Sequence, residues 1–338
     1  MYVLGIESSC DETAGSVVKD GREILSNVVA SSADIHLRYG GVFPELASRR
    51  QLELIEPVIE ETLSKANLLP EQIDLIAVAM GPGLIGSLLV GLQFAKGLSL
   101  AWNKPWIGIN HVEAHLYAAM MEAPLPLQFP ALGFVLSGGH TLLLKINALG
   151  CYEQIGTTVD DAIGEAFDKV ATLLNLPYPG GPHIEALAKR GKAATFNLAA
   201  GKVKKNPLNF SFSGLKTSVL YAIKGQNAKE EKCLSETDKA NLAASFQEIA
   251  FQDCIEKAKL ALKEFDASSI FLGGGVSNNN RLKEMFKEAF PSLPIHFPSF
   301  QLTTDNAAMI AGLGYEKMIM NKSPSPYDLE AMTRIPIA

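Results

Sequence analysis

Two histidines, His111 and His115, stand four residues apart just after a strand-like run from Pro105 to Ile109. On a helix this spacing puts both on one face, one turn apart, where two imidazoles can reach a single metal ion. In a His-Glu-x-x-His protease the glutamate follows the first histidine and acts as general base. Here Val112 holds that place and the glutamate comes one residue later, at Glu113. One residue turns a helical side chain by about 100°, so Glu113 is expected to face away from the histidines. Asn110 suits an N-cap, which puts Glu113 at N3 of a capping box. The pattern predicts a metal-holding helix without the protease base.

Three glycine- and hydroxyl-rich turns offer a second chemistry. They are Glu7–Thr13, Ser137–Thr141 and Gly273–Asn279, each after a strand-like run. Glycine lets a backbone approach a ligand, and exposed N–H groups with hydroxyls can hold phosphate oxygens. A single such turn is usually only a tight turn. Three together predict a nucleotide cleft, with Asn278 or Asn279 reaching the base or sugar and spacing favouring Asn279. Asp11 and Glu12 lie in the first turn, where either could orient or deprotonate an attacking group or simply cap the next element. Asp305 precedes an apolar helix, where an N-cap is the plain structural role. Asp168 sits at helical spacing from Glu165, as on a solvated helix face.

The elements that must position these residues follow from periodicity. Residues 2–6 and a run around Val17 and Val18 read as a hairpin; Ala131–Leu136 and Leu142–Ile146 repeat it about 128 residues later, with Leu132-Gly133 in the place of Leu4-Gly5. This predicts a duplicated α/β lobe. Helical patterns cover Glu45 to Ala66, with Pro57 as a kink or boundary, and Ser87 to Leu100. Asp74–Ala79, Ser269–Leu272 and Pro294–Pro298 read as strands, and Pro177–Pro182 as a loop. The stretch from Gly81 to Gly86 has the wrong context for a dinucleotide fingerprint and reads as a tight turn for close packing.

Composition narrows the class. Of 338 residues, 47% are hydrophobic and 20% charged, as in soluble globular proteins. No uninterrupted apolar run reaches the roughly 18 residues of a membrane span, and the N-terminus lacks the basic start of a signal peptide. The four scattered cysteines make no Cys-x-x-Cys pair, which predicts a reducing, cytoplasmic setting. The net charge of −6 speaks mildly against a general nucleic-acid binder. Yet between Glu185 and Glu230 there is no acidic residue, while Lys189, Arg190, Lys192, Lys202, Lys204, Lys205, Lys216, Lys224 and Lys229 interleave with Phe196, Phe210, Phe212 and Tyr221. That interval reads as a basic surface with core aromatics, or as a local phosphate-backbone contact.

Taken together, several motifs resemble a known family. Ile6-Glu-Ser-Ser-Cys-Asp-Glu-Thr13, His111-Val-Glu-Ala-His115, Leu136-Ser-Gly-Gly-His-Thr141 and Gly164-Glu-Ala-Phe-Asp-Lys169 come first. Tyr178-Pro-Gly-Gly-Pro182, Phe210-Ser-Phe-Ser-Gly-Leu-Lys-Thr217, Gly273-Gly-Gly-Val-Ser-Asn278 and Thr304-Asp-Asn-Ala-Ala-Met-Ile-Ala311 follow. In this order they resemble the TsaD family of bacterial tRNA adenosine threonylcarbamoyltransferases, formerly termed glycoproteases. The resemblance implies an α/β actin/Hsp70/sugar-kinase-like (ASKHA) duplicated two-lobe fold with an inter-lobe nucleotide and metal cleft. The lobes would be 1–128, joined by a C-terminal helix at about 313–338, and 129–312 with a basic insertion at 186–229.

The implied reaction moves the threonylcarbamoyl group from threonylcarbamoyl-adenylate to N6 of adenosine 37 in tRNAs reading codons that begin with A. By motif, the metal ligands are His111, His115 and Asp305. The adenylate positions are Val135, Leu136, Ser137, Gly138, Gly139, Asp168, Gly181, Glu185 and Asn279. Glu185 departs from the aspartate of many members, keeping a carboxylate with longer reach. Iron is the implied metal, and zinc also suits such ligands. Implied partners are tRNA, a TsaB-like paralogue, a TsaE-like ATPase and a TsaC-like synthase that supplies the adenylate, with no membrane. The alternatives are a metal-dependent peptidase and an ATP-regulated, non-catalytic scaffold of the actin/Hsp70 class.

Overall fold

The computed structural model describes all residues except 33–42, 202, 204, 226–233, 321–322 and 338. Lys202, Lys204 and Lys229 of the basic interval lie outside the described residues. Contacts divide the chain into one unit of residues 1–125 with 298–337 and another of 126–297.

The first unit is built on β1 (Tyr2–Glu7), β2 (Glu12–Lys19), β3 (Glu23–Ser31), α1 (Pro44–Ala66), β4 (Leu75–Gly81), α2 (Ile85–Trp102), β5 (Trp106–Asn110) and α3 (His111–Glu122). The second contains β6 (Ala131–Leu136), β7 (Thr141–Ala148), β8 (Cys151–Thr157), α4 (Ile163–Leu173), α5 (Gly180–Ala188), α6 (Ser213–Lys224), α7 (Glu236–Ala261), β9 (Ser269–Gly273), α8 (Asn280–Ala289) and β10 (Ile295–His296). The chain then returns to the first unit with α9 (Phe300–Thr303) and α10 (Ala307–Ile319).

The strand orders are β3-β2-β1-β4-β5 and β10-β9-β6-β7-β8. Read from β8, the second order repeats the first. In each unit the first three strands pair antiparallel, and the remaining two add in parallel beside the opening strand. The repeated hairpins thus sit in equivalent places. The middle strands are buried on both faces, as a sheet covered by helices requires.

Apolar burial holds each unit. Leu4, Ile6, Val17 and Val78 meet Ile55, Ile59 and Leu92 in the first. In the second, Phe167 meets Phe246 edge-on at 4.9 Å and stacks on Phe251 at 5.5 Å. Full burial of such a side chain stabilises by about 1.5–3 kcal/mol. α1 runs through Pro57. α2 is long and apolar enough to cross a membrane by composition, but Leu92 and Ala95 pack into the first unit's core and Lys96 donates to the Leu329 carbonyl at 2.7 Å.

Two expectations are corrected. The chain rejoins the first unit at Pro298 rather than near 313, because α10 lies against β1. A side chain at Gly5 would overlap the Ala307 carbonyl oxygen. The C-terminal segment is also not a helix to 338. α10 ends at Ile319, and 323–337 carries no helix. Pro324 and Pro326 lack the N–H that a helix needs. The segment instead runs beside β5 and β4, where the Ser325 N–H donates to Trp106 O and the Met332 N–H to Met80 O, at 2.8 and 2.9 Å.

Candidate metal centre and adenylate-binding positions

β5 passes directly into α3, so His111 opens the helix. Asn110 caps it by accepting from the N–H groups of Val112 and Glu113 at 2.9 and 3.2 Å. His111 and His115 lie 4.5 Å apart between ring centroids. Their Nε2 atoms are 3.5 and 3.1 Å from Asp305 Oδ1. One ligand atom from each of the three residues falls within 4.8 Å of the others. Donors that share an ion at about 2.0–2.2 Å stand roughly 3–3.5 Å apart, so the set fits one metal.

The N-cap role expected of Asp305 falls to its neighbour. Asn306 caps α10 by accepting from the Met309 N–H at 3.1 Å, so the Asp305 carboxylate faces the histidines instead. Glu113 keeps only half of the expected capping box. Its N–H is bound to Asn110, but its carboxylate accepts from Lys317 Nζ at 2.6 Å. The Asn110 backbone lies in the pairing of β5 with β4, which leaves the box no second partner. Glu113 is thus engaged away from any protease-like base position.

The first turn is stapled from both sides. Gln51 Nε2 donates to the carbonyls of Cys10 and Glu12 at 3.1 and 2.9 Å, and Ser87 Oγ to Cys10 O at 2.9 Å. The hydroxyls expected to grip phosphate point inward: Ser8, Ser9 and Thr13 are buried, and Ser8 Oγ donates to Ser87 O. What this turn presents is acid. Burial, then the charges of Asp305 and Asp11, holds the Glu12 carboxyl well above the usual carboxylate range. A cation among these groups relieves that repulsion.

Burial alone would lower the His111 pKa, but the carboxylates of Glu7 and Asp305 outweigh it and raise it to about 9. In the metal-free protein this pairing stabilises the fold fully below the ordinary 6.5 and is lost as pH rises through about 9. A metal at His111 must displace that proton. Zinc affinity measured by chelator competition should therefore rise about tenfold per pH unit up to about pH 9 and then level off.

In the second unit, Val135 and Leu136 are buried, so only their backbone is available to a ligand. Gly138 and Gly139 are exposed, with open space where a side chain would stand. Ser137 turns the chain, its N–H donating to His140 O at 2.9 Å. Asp168 is not simply solvated. It accepts from the Gly180 N–H at 2.7 Å, and burial raises its pKa. Gly181, in the first turn of α5, has open space beside it. Pro177–Pro182 is thus only partly loop, since α5 begins at Gly180.

Asn279 uses both ends of its amide on the protein, capping α8 at Arg281 and Leu282 and donating to Gln247 Oε1 at 2.8 Å. Glu185 accepts from Asn280 Nδ2 at 2.8 Å. Glu185, Lys189, Gln247, Asn280 and Arg281 line a cavity of about 340 Å³. Of the basic interval, Lys189, Arg190, Lys192 and Lys205 are exposed, while Phe210 and Phe212 belong to the core.

Sequence reasoning missed Glu7, Ser9, Gln51 and Lys317. Glu7 and Ser9 stood inside a quoted motif, but only the pairing of β1, β4 and β5 brings them to His111.

The chain matches the TsaD family, tRNA N6-adenosine threonylcarbamoyltransferase, over residues 23–312. It is 60% identical to the tRNA N6-adenosine threonylcarbamoyltransferase of Protochlamydia amoebophila (strain UWE25), covering 100% of this chain and 98% of that protein. In fold it is similar to HypF of T. kodakarensis, with TM-score 0.62 and 16% identity over 95% of this chain and 48% of that one. It is also similar to ROK hexokinase of Thermus thermophilus, with TM-score 0.50 and 14% identity over 95% and 100%. The fold is of the actin/Hsp70/sugar-kinase class, and the chain belongs to the TsaD family of tRNA N6-adenosine threonylcarbamoyltransferases.

Proposed function

We propose that this chain transfers a threonylcarbamoyl group from threonylcarbamoyl-adenylate to N6 of adenosine 37 in tRNAs that read codons beginning with A. The observation that carries the reading is 60% identity over the whole chain to a tRNA N6-adenosine threonylcarbamoyltransferase.

The N6 amine attacks the carbamoyl carbon. A C–N bond forms, the C–O bond to phosphate breaks, AMP leaves with the electron pair, and the N6 proton passes to a base. An adenine amine is a weak nucleophile, so positioning and carbonyl-oxygen stabilisation outweigh base strength. Asp11 or Glu12 would orient the N6 amine or take its proton, Glu12 only in the ionised form, which a bound cation would favour against its raised pKa. A divalent metal, iron by family and zinc also by ligand type, would be held by His111, His115 and Asp305 and would supply positive charge to a phosphate or carbonyl oxygen. The Val135–Gly139 backbone would meet phosphate. Asp168 and Gly181 would meet the ribose or threonyl end, and Glu185 and Asn279 would flank the base beside the cavity, whose volume suits a small ligand.

tRNA phosphates suit the exposed cations at Lys189, Arg190, Lys192 and Lys205. A TsaB-like paralogue, a TsaE-like ATPase, a TsaC-like synthase and a cytoplasmic location complete the proposal. Incubation with these partners, threonine, bicarbonate, ATP and unmodified tRNA should yield the modified nucleoside by mass spectrometry. No product with partners active on a known family member would overturn it.

A further inference from the structure

Glu7 ends β1 and is 1% exposed. Among the described residues no lysine or arginine pairs with it, and a buried carboxylate without compensation is costly. Two donors converge on it: the Ser9 N–H reaches Oε1 at 2.5 Å, and His111 Nδ1 stands 2.8 Å from Oε2. We propose, resting on the metal reading above, that Glu7 is a positioning residue: it holds the proton on His111 Nδ1, so that the Nε2 lone pair is left for the metal.

The geometry explains why the residue is a carboxylate. Both facing groups donate, so both oxygens must accept. A glutamine has one acceptor. If its oxygen keeps the Ser9 N–H, its amide N–H faces Nδ1. That arrangement favours the tautomer with the proton on Nε2, where the metal must bind. Ser9 Oγ, 3.2 Å from Nδ1, can donate or accept and does not decide between tautomers. The Glu7 charge also raises the basicity of Nε2 through the ring. The second histidine has no such support, since His115 Nδ1 is buried with no hydrogen-bond partner among the described residues. Among the described residues, the Nδ1 support by a carboxylate is thus given to His111 and not to His115.

The test uses the full chain, with zinc affinity from chelator competition and the visible spectrum of the cobalt(II) form. Glu7→Gln should weaken zinc binding about 10- to 100-fold and shift the cobalt bands at saturating metal, while Glu7→Asp, which keeps two acceptors, should recover part of the loss. Zinc binding by Glu7→Gln within twofold of the parent chain, with an unchanged cobalt spectrum, would overturn the assignment. Should Glu7→Gln fail to fold, nitrogen NMR of the zinc-loaded parent chain decides. Metal on His111 Nε2 with a proton on Nδ1 is expected, and metal on Nδ1 would contradict it. A parent chain that binds no zinc, iron or cobalt would remove the metal reading itself, whereas normal binding in Glu7→Gln removes only the role of Glu7.

Discussion

Asp305→Ala should leave a folded protein that no longer holds its metal. Asp305 supplies the one oxygen to a cluster whose other donors are two imidazoles. Its side chain does not cap α10, because Asn306 does so, so the fold loses no cap. A metal acting on a developing negative charge contributes several kcal/mol, and each 1.36 kcal/mol is tenfold in rate. Transfer should thus fall about a hundred- to ten-thousand-fold, with bound metal falling in parallel by elemental analysis. Treating the parent chain with a chelator should give the same loss, reversed by adding metal. A metal-free but fully active Asp305→Ala protein would contradict the mechanism.

Lys317→Met should cost stability rather than chemistry. Lys317 Nζ lies 2.6 Å from the Glu113 carboxylate, whose side chain is 5% exposed, and the pair ties α10 to α3. Removing only the lysine leaves a buried charge uncompensated, which costs about 3–5 kcal/mol. Denaturant unfolding should show that loss. Adding Glu113→Gln should restore much of it, because the stranded charge is then gone. If Lys317→Met alone is neutral, the pair does not hold the metal-bearing helix.

The parts of the fold legible in the sequence are those with a local pattern. β1, β4, β6 and β9 are runs of small and apolar residues, and the structure places them in the sheet interiors. β3 and β8 are outer strands with mostly exposed or half-exposed residues, so they carry little apolar signal. α5 escaped notice because it opens with Gly180 and Gly181 and its Gly180 N–H donates to Asp168, on a different helix. At the site, the helical spacing of His111 and His115 was legible, whereas the contribution of Asp305 was reached through the family motif. Whether Asp305 or Asn306 caps α10 depends on which side chain faces the histidines. The inward hydroxyls of Ser8 and Ser9 depend on α2 and His111. Such choices are made by partners distant in sequence.

The most direct test of the metal centre is anomalous scattering on crystals of the full chain grown with metal and an adenine nucleotide. A single peak bonded to His111 Nε2, His115 and Asp305 is the expected result. Metal absent from these three residues, while present elsewhere on the chain, would contradict the account.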